Sequence, residues 1–379
     1  MGSSPELALR GASPSLANSG ELPISPSAPT VFVGMSGGVD SSVSALLLKK
    51  QGYTVVGVYM KNWSKDLPGM KCPWAEDLAD AKRVAVKLGI DFEVWDFENE
   101  YHDKVVKYML EEFKKGNTPN PDIMCNQEIK FKLFYETALE RGADFIATGH
   151  YARISDGKLM RAADEKKDQT YFLYRISQEA LSRTIFPIGG MIKPDVKKIA
   201  EKNGLHNAYK KESMGVCFVG EVGMKDFLKE YIDIEPGEIR EVETEKVVGH
   251  HEGAVFYTIG QRHGLYISGN KGEVNTGLPY YVVKKDLTKN IVYVSRNLND
   301  AHIWTDRLVL KDVIVRTLDG SCRSVNNLLV RLRHLGELIP AKLENNTLYF
   351  EQKIKRPASG QSAVFYDGEI CLGGGVIAD

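Results

Sequence analysis

The residues with the clearest chemical potential form a glycine-rich loop near the start of the chain. Ser36-Gly37-Gly38-Val39-Asp40-Ser41-Ser42 lies between a predicted buried strand, Thr30 to Met35, and a predicted helix, Asp40 to Gln51. Small residues let backbone amides approach an anion closely, and a helix N-terminus attracts negative charge. The loop therefore predicts a phosphate site. The alternative is a glycine-rich turn in which Asp40 or Ser41 caps the helix.

Two absences narrow the chemistry of this loop. The lysine of a Walker loop, which would reach the terminal phosphates of a nucleotide, is missing, and so is the Gly-x-Gly-x-x-Gly dinucleotide fingerprint. The sequence therefore favours neither kinase-type transfer nor NAD binding.

Two cysteines lie in segments that suggest reactive sulfur. Cys125 follows Thr118-Pro119-Asn120-Pro121-Asp122, where two prolines predict an extended, rigid turn ahead of a helix. A helix N-terminus favours a thiolate, and Asp122 is placed to manage a proton. Cys217 lies in a second predicted loop, Glu212 to Gly220. The alternatives are core packing for each cysteine and an Asx turn or helix cap for Asp122.

Composition excludes several classes of protein. The chain has 379 residues, 43% of them apolar, and a formal net charge of -1, so two or three globular domains are expected and RNA contacts would need local basic patches. No apolar stretch long enough for a membrane span or a secretory signal is visible. Residues 1–29 are predicted to be a disordered tail. Cytosol is preferred, with a mitochondrial transit peptide as the alternative.

The remaining cysteines carry no predicted role. The five cysteines are scattered and odd in number, so reduced thiols are expected and a disulfide framework is not. Packing is the favoured interpretation of Cys72, Cys322 and Cys371.

The order of predicted elements indicates an α/β protein with further domains. Strands and helices alternate from Thr30 to Thr148, which is typical of a parallel sheet covered by helices on both faces. We expect a catalytic domain at 30–212, a small connecting domain at 213–280 and a C-terminal β-barrel or sandwich at 281–379. The strands of this last domain are predicted at Tyr280 to Lys285, Ile291 to Ser295, Asn327 to His334, Thr347 to Gln352 and Ser362 to Tyr366.

Five signatures together resemble one family. SGGVDSS, TPNPDIMCN, ATGHYAR, KDQTYFL and ESMGVCFVG occur in the order found in tRNA-specific 2-thiouridylases, which are tRNA-uridine 2-sulfurtransferases of the N-type ATP pyrophosphatase (PP-loop) superfamily. The resemblance covers residues 30 to 379. Departures from the family are the N-terminal tail, a short hairpin at Gly157 to Leu159 and the insertion-like Asn270 to Thr276. The resemblance implies a Rossmann-like, adenine nucleotide alpha hydrolase-like first domain and a tRNA-binding barrel.

The resemblance also implies a reaction. ATP, with Mg²⁺, would adenylate the uracil 2-oxygen at wobble position 34 of Lys, Glu and Gln tRNAs, with AMP and pyrophosphate as products. Cys217 would receive sulfur as a persulfide from a cysteine desulfurase or a relay protein. Either the persulfide attacks carbon 2 directly, or Cys125 attacks the persulfide, releasing hydrosulfide and leaving a Cys125–Cys217 disulfide. The implied nucleotide-binding residues are Gly34, Met35, Ser36, Gly37, Gly38, Val39, Asp40, Ser41, Met60 and Gly149.

Several residues are implied to contact tRNA. The target base must be turned out of its stack, so the Asn120-Pro121-Asp122 corner is expected to touch it. His150 would contact RNA or be a satisfied core histidine. The other implied contacts are Lys167, Asp168, Gln169, Arg331, Arg333 and Gln361.

The sequence also permits three other functions. An iron–sulfur cluster held by Cys125, Cys217 and a third group would carry the sulfur differently. An amidotransferase-like synthetase of the same superfamily would use the ATP loop without cysteines. A non-catalytic RNA-binding protein would use only the barrel.

Overall fold

The structure is a computed structural model that describes residues 28–66, 72–211, 223–267, 279–297, 299–300, 302–316 and 324–378. Several predictions fall outside these residues: nearly all of the N-terminal tail, the boundary between the first two domains, the Asn270 to Thr276 insertion, Cys217 and Cys322.

The first domain contains a parallel five-stranded sheet in the order β3-β2-β1-β4-β7. This confirms the Rossmann-like prediction. β5 and β6 form the short hairpin predicted around Gly157, and this hairpin does not belong to the parallel sheet. The strands are β1 Thr30–Gly34, β2 Thr54–Lys61, β3 Asp91–Asp96, β4 Phe145–Ala147, β5 Arg153–Ser155, β6 Lys158–Met160 and β7 Thr184–Ile185.

Helices cover both faces of this sheet because its central strand is apolar on both sides. Phe32 belongs to one buried cluster, whereas Val31 and Val33 belong to another. The helices are α1 Val39–Lys50, α2 Trp74–Leu88, α3 Glu98–Tyr101, α4 Lys107–Lys114, α5 Pro121–Met124, α6 Phe134–Glu140, α7 Thr170–Leu173, α8 Gln178–Ser182 and α9 Lys193–Lys202, with π-helical segments at His102–Val106 and Cys125–Leu133.

The central part of the chain forms a second five-stranded sheet in the order β10-β9-β8-β12-β11. It follows the short helix α10 Met224–Lys229. Its strands are β8 Gly237–Glu241, β9 Val247–His251, β10 Tyr266–Ile267, β11 Tyr281–Asp286 and β12 Ile291–Ser295. The prediction that the last two strands belong to the barrel was wrong. β12 runs parallel to β8, and such a long-range pairing leaves no mark in local sequence.

The C-terminal part is a closed six-stranded barrel, which confirms the predicted β-barrel fold. Its order is β13-β16-β15-β14-β17-β18, and β18 pairs back with β13. The strands are β13 Trp304–Val315, β14 Ser324–Arg331, β15 Ile339–Glu344, β16 Thr347–Lys355, β17 Ser362–Asp367 and β18 Ile370–Ile377.

Three barrel strands were missed from the sequence, and β18 shows why. It contains three consecutive glycines, Gly373 to Gly375, which are typical of a loop. Here they permit close approach of neighbouring strands, since a Cβ at Gly373 would collide with the Ile314 carbonyl oxygen. β18 also pairs with β6 of the first domain through Ile370 and Met160, which attaches the barrel to that domain. In the described part of the chain, no helix has the length and apolar character needed to cross a membrane.

Candidate active site

The glycine-rich loop lies at the point where the connections of the first sheet diverge. β1 has β2 on one side and β4 on the other, so the chain leaves β1 and β4 towards different parts of the sheet. Ligands of open parallel sheets bind in the crevice at such a switch point, outside the carboxyl ends of the strands. Residues 35–38 and 148–150 follow those two ends and form the walls of the crevice.

The start of α1, the predicted phosphate site, presents backbone groups and has no side-chain cap. Gly38 is the N-cap in extended conformation, and no side chain caps the helix. The alternative in which Asp40 or Ser41 serves as cap is therefore wrong. Ser41 Oγ instead accepts from the Ser36 amide at 3.2 Å and donates to the Gly38 carbonyl at 3.1 Å. The first amides of α1 lack intrahelical acceptors, so they are available to an anion.

Glycine is required where this loop meets its neighbours. Gly37 has φ +75°, and a Cβ there would collide with the Asp77 carbonyl oxygen. A Cβ at Gly149 would lie 2.6 Å from the Ser41 nitrogen. The segment after β4 therefore packs directly against the start of α1.

Two of the predicted nucleotide-binding side chains have different surroundings. Met60 lies beside Gly34 at the crevice, since a Cβ at Gly34 would be 2.9 Å from Met60 Cε. Met35, in contrast, is buried in the core, and its amide donates to the Val58 carbonyl at 2.7 Å. The side chain and the amide of Met35 are therefore both engaged within the protein. Val39 is also buried and can contribute only its backbone.

Three residues that sequence reasoning missed hold the loop. Lys193 Nζ lies 2.8 Å from both carboxylate oxygens of Asp40, and the Tyr151 hydroxyl donates to the same carboxylate at 3.0 Å. Asn207 Nδ2 donates to the Gly37 carbonyl and to Ser42 Oγ, each at 2.9 Å. Tyr151 belongs to the quoted ATGHYAR motif, but no local pattern marks Lys193 or Asn207.

Cys125 lies inside a helix and not on a rigid loop. Asn120 caps the helix by accepting from the Asp122 and Ile123 amides, and Pro121 occupies its first turn. The helix thus begins at Pro121, ahead of Cys125, which corrects the expectation that Cys125 lies in a turn before the helix. Cys125 is 4% exposed and is the first residue of the Cys125–Leu133 π-helical segment. Such segments are frequent at functional sites.

Asp122 is a partly buried carboxylate with a shifted pKa. Burial raises the pKa of Asp122 above its ordinary value, and the positive charge of Lys130 opposes that rise. Asn120, not Asp122, is the cap, so the capping interpretation of Asp122 is wrong. The Asp122 carboxylate accepts no hydrogen bond and forms no ion pair within the described residues. A buried carboxyl group with a raised pKa is a candidate for proton transfer.

His150 connects the glycine-rich loop at residues 36–42 (the nucleotide loop) with the helix that contains Cys125. Its Nδ1 lies 2.7 Å from Thr148 Oγ1, and its ring packs against Phe131 and Phe186 at 5.7 and 6.1 Å. Burial, with a smaller contribution from Lys130, lowers the pKa of His150 well below its usual value. The ring is therefore neutral at physiological pH. Lys130, which acts on both His150 and Asp122, is a site residue that sequence reasoning missed.

Two of the implied tRNA contacts are buried against each other. Asp168 is 0% exposed and Arg331 is 5% exposed, and they form an ion pair between the first domain and the barrel. Asp168 also accepts from the Thr170 hydroxyl and from the Ala162 amide. The predicted direct contact of these two side chains with RNA is corrected, since both are enclosed at a domain junction.

The other implied contacts differ in exposure. Arg333 is exposed and Lys167 is partly exposed. Gln169 accepts from the Tyr151 amide at 2.9 Å, which ties it to the crevice. Gln361 donates to the Thr118 carbonyl at 2.6 Å, so it holds the segment that leads to Asn120.

The remaining described cysteines, Cys72 and Cys371, are buried. Cys72 Sγ lies 3.8 Å from the Trp63 carbonyl oxygen. Burial raises the pKa of the Cys371 thiol in the barrel to about 12. A thiol with so high a pKa is inert at neutral pH, in agreement with packing.

Comparison with known proteins covers nearly the whole chain. Residues 29–221 match the tRNA methyl transferase HUP domain, residues 225–296 the tRNA methyl transferase PRC-barrel domain and residues 313–377 the aminomethyltransferase beta-barrel domain. The second match ends just after β12, as the pairing of the central sheet does.

Three similar relatives are each named tRNA-specific 2-thiouridylase MnmA. The protein of Lactococcus lactis subsp. cremoris is 46% identical over 93% of this chain and 96% of its own length. That of Listeria monocytogenes serotype 4b is 46% identical over 92% and 94%. That of Levilactobacillus brevis is 47% identical over 92% and 94%.

Proposed function

The chain belongs to the tRNA-specific 2-thiouridylase family, and from that premise we propose that it converts the wobble uridine of tRNA into 2-thiouridine with consumption of ATP. The substrates proposed are position 34 of Lys, Glu and Gln tRNAs, and the products are AMP and pyrophosphate.

The observation that carries this proposal is the segment Thr148–His150. On one side Gly149 packs against the start of α1, and on the other His150 packs against Phe131 of the Cys125 helix. One short segment thus joins an anion site to a cysteine site. A reaction that activates an oxygen with ATP and then replaces it with sulfur needs both sites next to the same base.

The first chemical step is adenylation. The uracil 2-oxygen attacks the α-phosphorus of ATP, and pyrophosphate leaves. Amides at the start of α1 would bind the phosphates, while Met60 and Gly149 would line the adenine and ribose site. The uracil 2-oxygen is a poor leaving group until AMP is attached to it, and this accounts for the requirement for ATP.

Magnesium is proposed to bind the phosphates of ATP and not a cage of side chains. Both carboxylate oxygens of Asp40 face Lys193, and the described residues contain no group of three His, Cys, Asp or Glu side chains arranged for a metal. Magnesium commonly keeps several waters and binds through substrate phosphates.

The second step transfers sulfur from a persulfide on Cys217. In one route its terminal sulfur attacks carbon 2 and expels AMP, and the Cys125 thiolate then cleaves the sulfur–sulfur bond. In the other, Cys125 attacks the Cys217 sulfur of the persulfide, releasing hydrosulfide that attacks carbon 2. Both routes leave a Cys125–Cys217 disulfide, so a two-electron reductant must regenerate the thiols.

The surrounding residues are proposed to position the base and the RNA. Asn120 and Pro121 form the corner that contacts the uracil, and Asp122 exchanges a proton with the base or the Cys125 thiol. Lys167 and Arg333, which are partly or fully exposed, are proposed to contact the RNA. Gln361, by holding Thr118, acts on the same corner from the barrel side. A cytosolic cysteine desulfurase or relay protein is the proposed donor of sulfur.

Mass spectrometry of nucleosides tests the proposal. The protein is incubated with ATP, magnesium, a persulfide donor and unmodified tRNA, and 2-thiouridine is sought after digestion. We expect it with the wild type and not with Cys217→Ala. A wild type without thiolated base, or an unchanged yield in the variant, would contradict the proposal.

Two further measurements separate the alternatives. Anaerobic iron analysis with absorption spectroscopy reports whether activity follows an iron–sulfur cluster or persists without iron. Release of pyrophosphate that depends on tRNA excludes a protein that only binds RNA. An amidotransferase-like synthetase would remain active in Cys217→Ala.

A further inference from the structure

A second cleft, separate from the nucleotide loop, lies where the three parts of the chain meet. It has a volume of about 320 Å³. Its walls are residues 115–118 of the first domain, 258–259 and 283–285 of the central sheet with Leu287, and 356–359 of the barrel with His302. A cleft shared by three domains exists only when they are assembled, so its occupant would contact all of them at once.

The cleft is lined by positive charge. Lys115, Lys284, Lys285 and Arg356 line it, and no Asp or Glu does so among the described lining residues. Two lining side chains already have acidic partners: Lys115 pairs with Glu112 at 2.8 Å, and His302 pairs with Asp300 at 2.8 Å.

Two of the cations are available to a ligand. Lys284 is exposed, and its Nζ lies 5.4 Å from the centre of the Tyr293 ring, a contact that leaves its charge uncompensated. The Arg356 guanidinium is partly exposed and donates to no acceptor in the described residues, while its backbone amide donates to the Ile303 carbonyl. Lys285 is already used structurally, because its Nζ donates to the Gly116 carbonyl at 2.8 Å.

The cleft adjoins the corner proposed to contact the base. The Thr118 amide donates to the Ser359 carbonyl at 2.7 Å, which makes Thr118 part of the cleft wall. Asn120 is two residues further on, so the chain places it within about 7 Å of that wall. A strand of nucleic acid whose base occupied the corner would have its neighbouring phosphates beside Lys284 and Arg356.

We propose that this cleft binds the phosphodiester backbone of tRNA next to the nucleotide that is thiolated. The identity of the RNA rests on the proposed function, whereas the anionic chemistry rests on the lining residues. Lysine and arginine release counterions when they neutralise phosphates, and contacts with the backbone hold the strand when a base is turned out. Free phosphate has the same chemistry as a backbone phosphate, so the experiment must separate the two.

Salt-dependent binding of an unmodified tRNA transcript tests the inference. The double variant Lys284→Ala/Arg356→Ala is compared with Lys82→Ala/Lys87→Ala, which removes two exposed positive charges from α2. Affinity should fall about 10-fold in the first variant, and the slope of log affinity against log salt should decrease in magnitude by about 1 to 2. The control should bind as the wild type does. ATP and sulfur donor are omitted, so the result is independent of whether thiolation is detected.

Three outcomes would overturn the inference. The first is an unchanged slope in the cleft variant, and the second is an equal loss in the α2 control. The third is a variant that loses stabilisation by inorganic phosphate in a thermal unfolding assay and still binds tRNA normally, which would mark a site for a small anion.

A hairpin of the anticodon arm tests the position of the contact. It should show the same change of slope as whole tRNA, and a change confined to whole tRNA would contradict a contact next to the target base. Should the double variant fail to fold, Lys284→Gln replaces an exposed side chain and should reduce the magnitude of the slope by about 1.

Discussion

The nucleotide loop and the segment from Asn117 to Cys125 are held in different ways. The loop is secured from within the first domain, where Lys193 and Tyr151 hold Asp40 and Asn207 holds the Gly37 carbonyl. The Asn117 to Cys125 segment is held from within the first domain by Glu112 and, in addition, from outside that domain.

The barrel and the central sheet supply the outside contacts of the second region. Ser359 and Gln361 bond to Thr118, and Lys285 bonds to Gly116 at the entrance of the segment. Under the proposed function, this difference predicts that ATP binding depends on the first domain alone, whereas sulfur transfer requires all three parts in place.

The largest expected effect separates the two regions directly. Cys125→Ala should reduce formation of 2-thiouridine by at least about 10³-fold, the scale on which loss of a nucleophile acts. The affinity for ATP, measured by calorimetry, should not change, because the loop does not depend on Cys125. Cys371→Ala is the control: it removes a buried, inert thiol of the barrel, so the rate per folded molecule should be retained. Equal rates for the Cys125 variant and the wild type would refute a catalytic Cys125.

Asp122→Asn should have the next largest effect on thiolation, a loss of about 10²-fold, typical of a missing acid or base. The same substitution should increase the free energy of unfolding near pH 7. Because burial raises the pKa of Asp122, the carboxyl favours the folded state at low pH and loses that contribution as pH rises through the raised pKa. Neutral asparagine should therefore stabilise the protein near pH 7.

Denaturant unfolding over roughly pH 4 to pH 7 measures this sign. The stability advantage of Asp122→Asn over the wild type should grow as pH rises. Asp103→Asn should show no such growth over this range, because a hydrogen bond from Lys107 lowers the pKa of Asp103 below its ordinary value of 3.8. A variant of Asp122 that is less stable at high pH than the wild type would contradict the raised pKa.

Lys193→Met tests whether the contact between Lys193 and Asp40 supports ATP binding by the nucleotide loop. It leaves the Asp40 carboxylate without its nearest cation, beside the phosphates of ATP, so the affinity for ATP should fall about 10-fold. Binding of tRNA without ATP should be unaffected. Lys198→Met, on the same helix but exposed and paired with Asp195, is the matched control. Loss of tRNA binding in Lys193→Met would mean that the two regions are coupled.

Gly360→Ala should have the smallest effect and should act only on the second region. Gly360 has φ +87°, and an added Cβ would lie 2.9 Å from Asn117 Cβ, so the segment must shift. Thiolation should fall about fivefold, or about 1 kcal/mol, with ATP affinity unchanged. Gly368→Ala carries a similar strain at φ +55°, but its Cβ would meet no atom within 4 Å. A comparable loss of thiolation in both variants would show that backbone strain alone is responsible.

Local patterns in the sequence predicted the elements that depend on local physics. Apolar runs marked β1 and β2, and small residues marked the start of α1, because strand burial and helix capping are decided within a few residues. The same rules applied to Asn120 and Pro121 would have placed the helix start correctly, before Cys125.

Long-range pairing escaped prediction. β11 and β12 join the central sheet, and Asp168 pairs with Arg331 across a domain junction, since distant segments approach each other only in the folded chain. The role of Lys193 at Asp40 depends on the same kind of approach.

The amino-acid sequence by itself determined the family, the position of the glycine-rich loop and the class of enzyme, because these reside in short strings whose residues act on their own neighbours. The tertiary structure alone decided which charges are buried together, which carboxyl has a raised pKa and which cations line a common cleft. Those properties depend on the exclusion of water and on distances between remote segments, and neither is set until the domains pack.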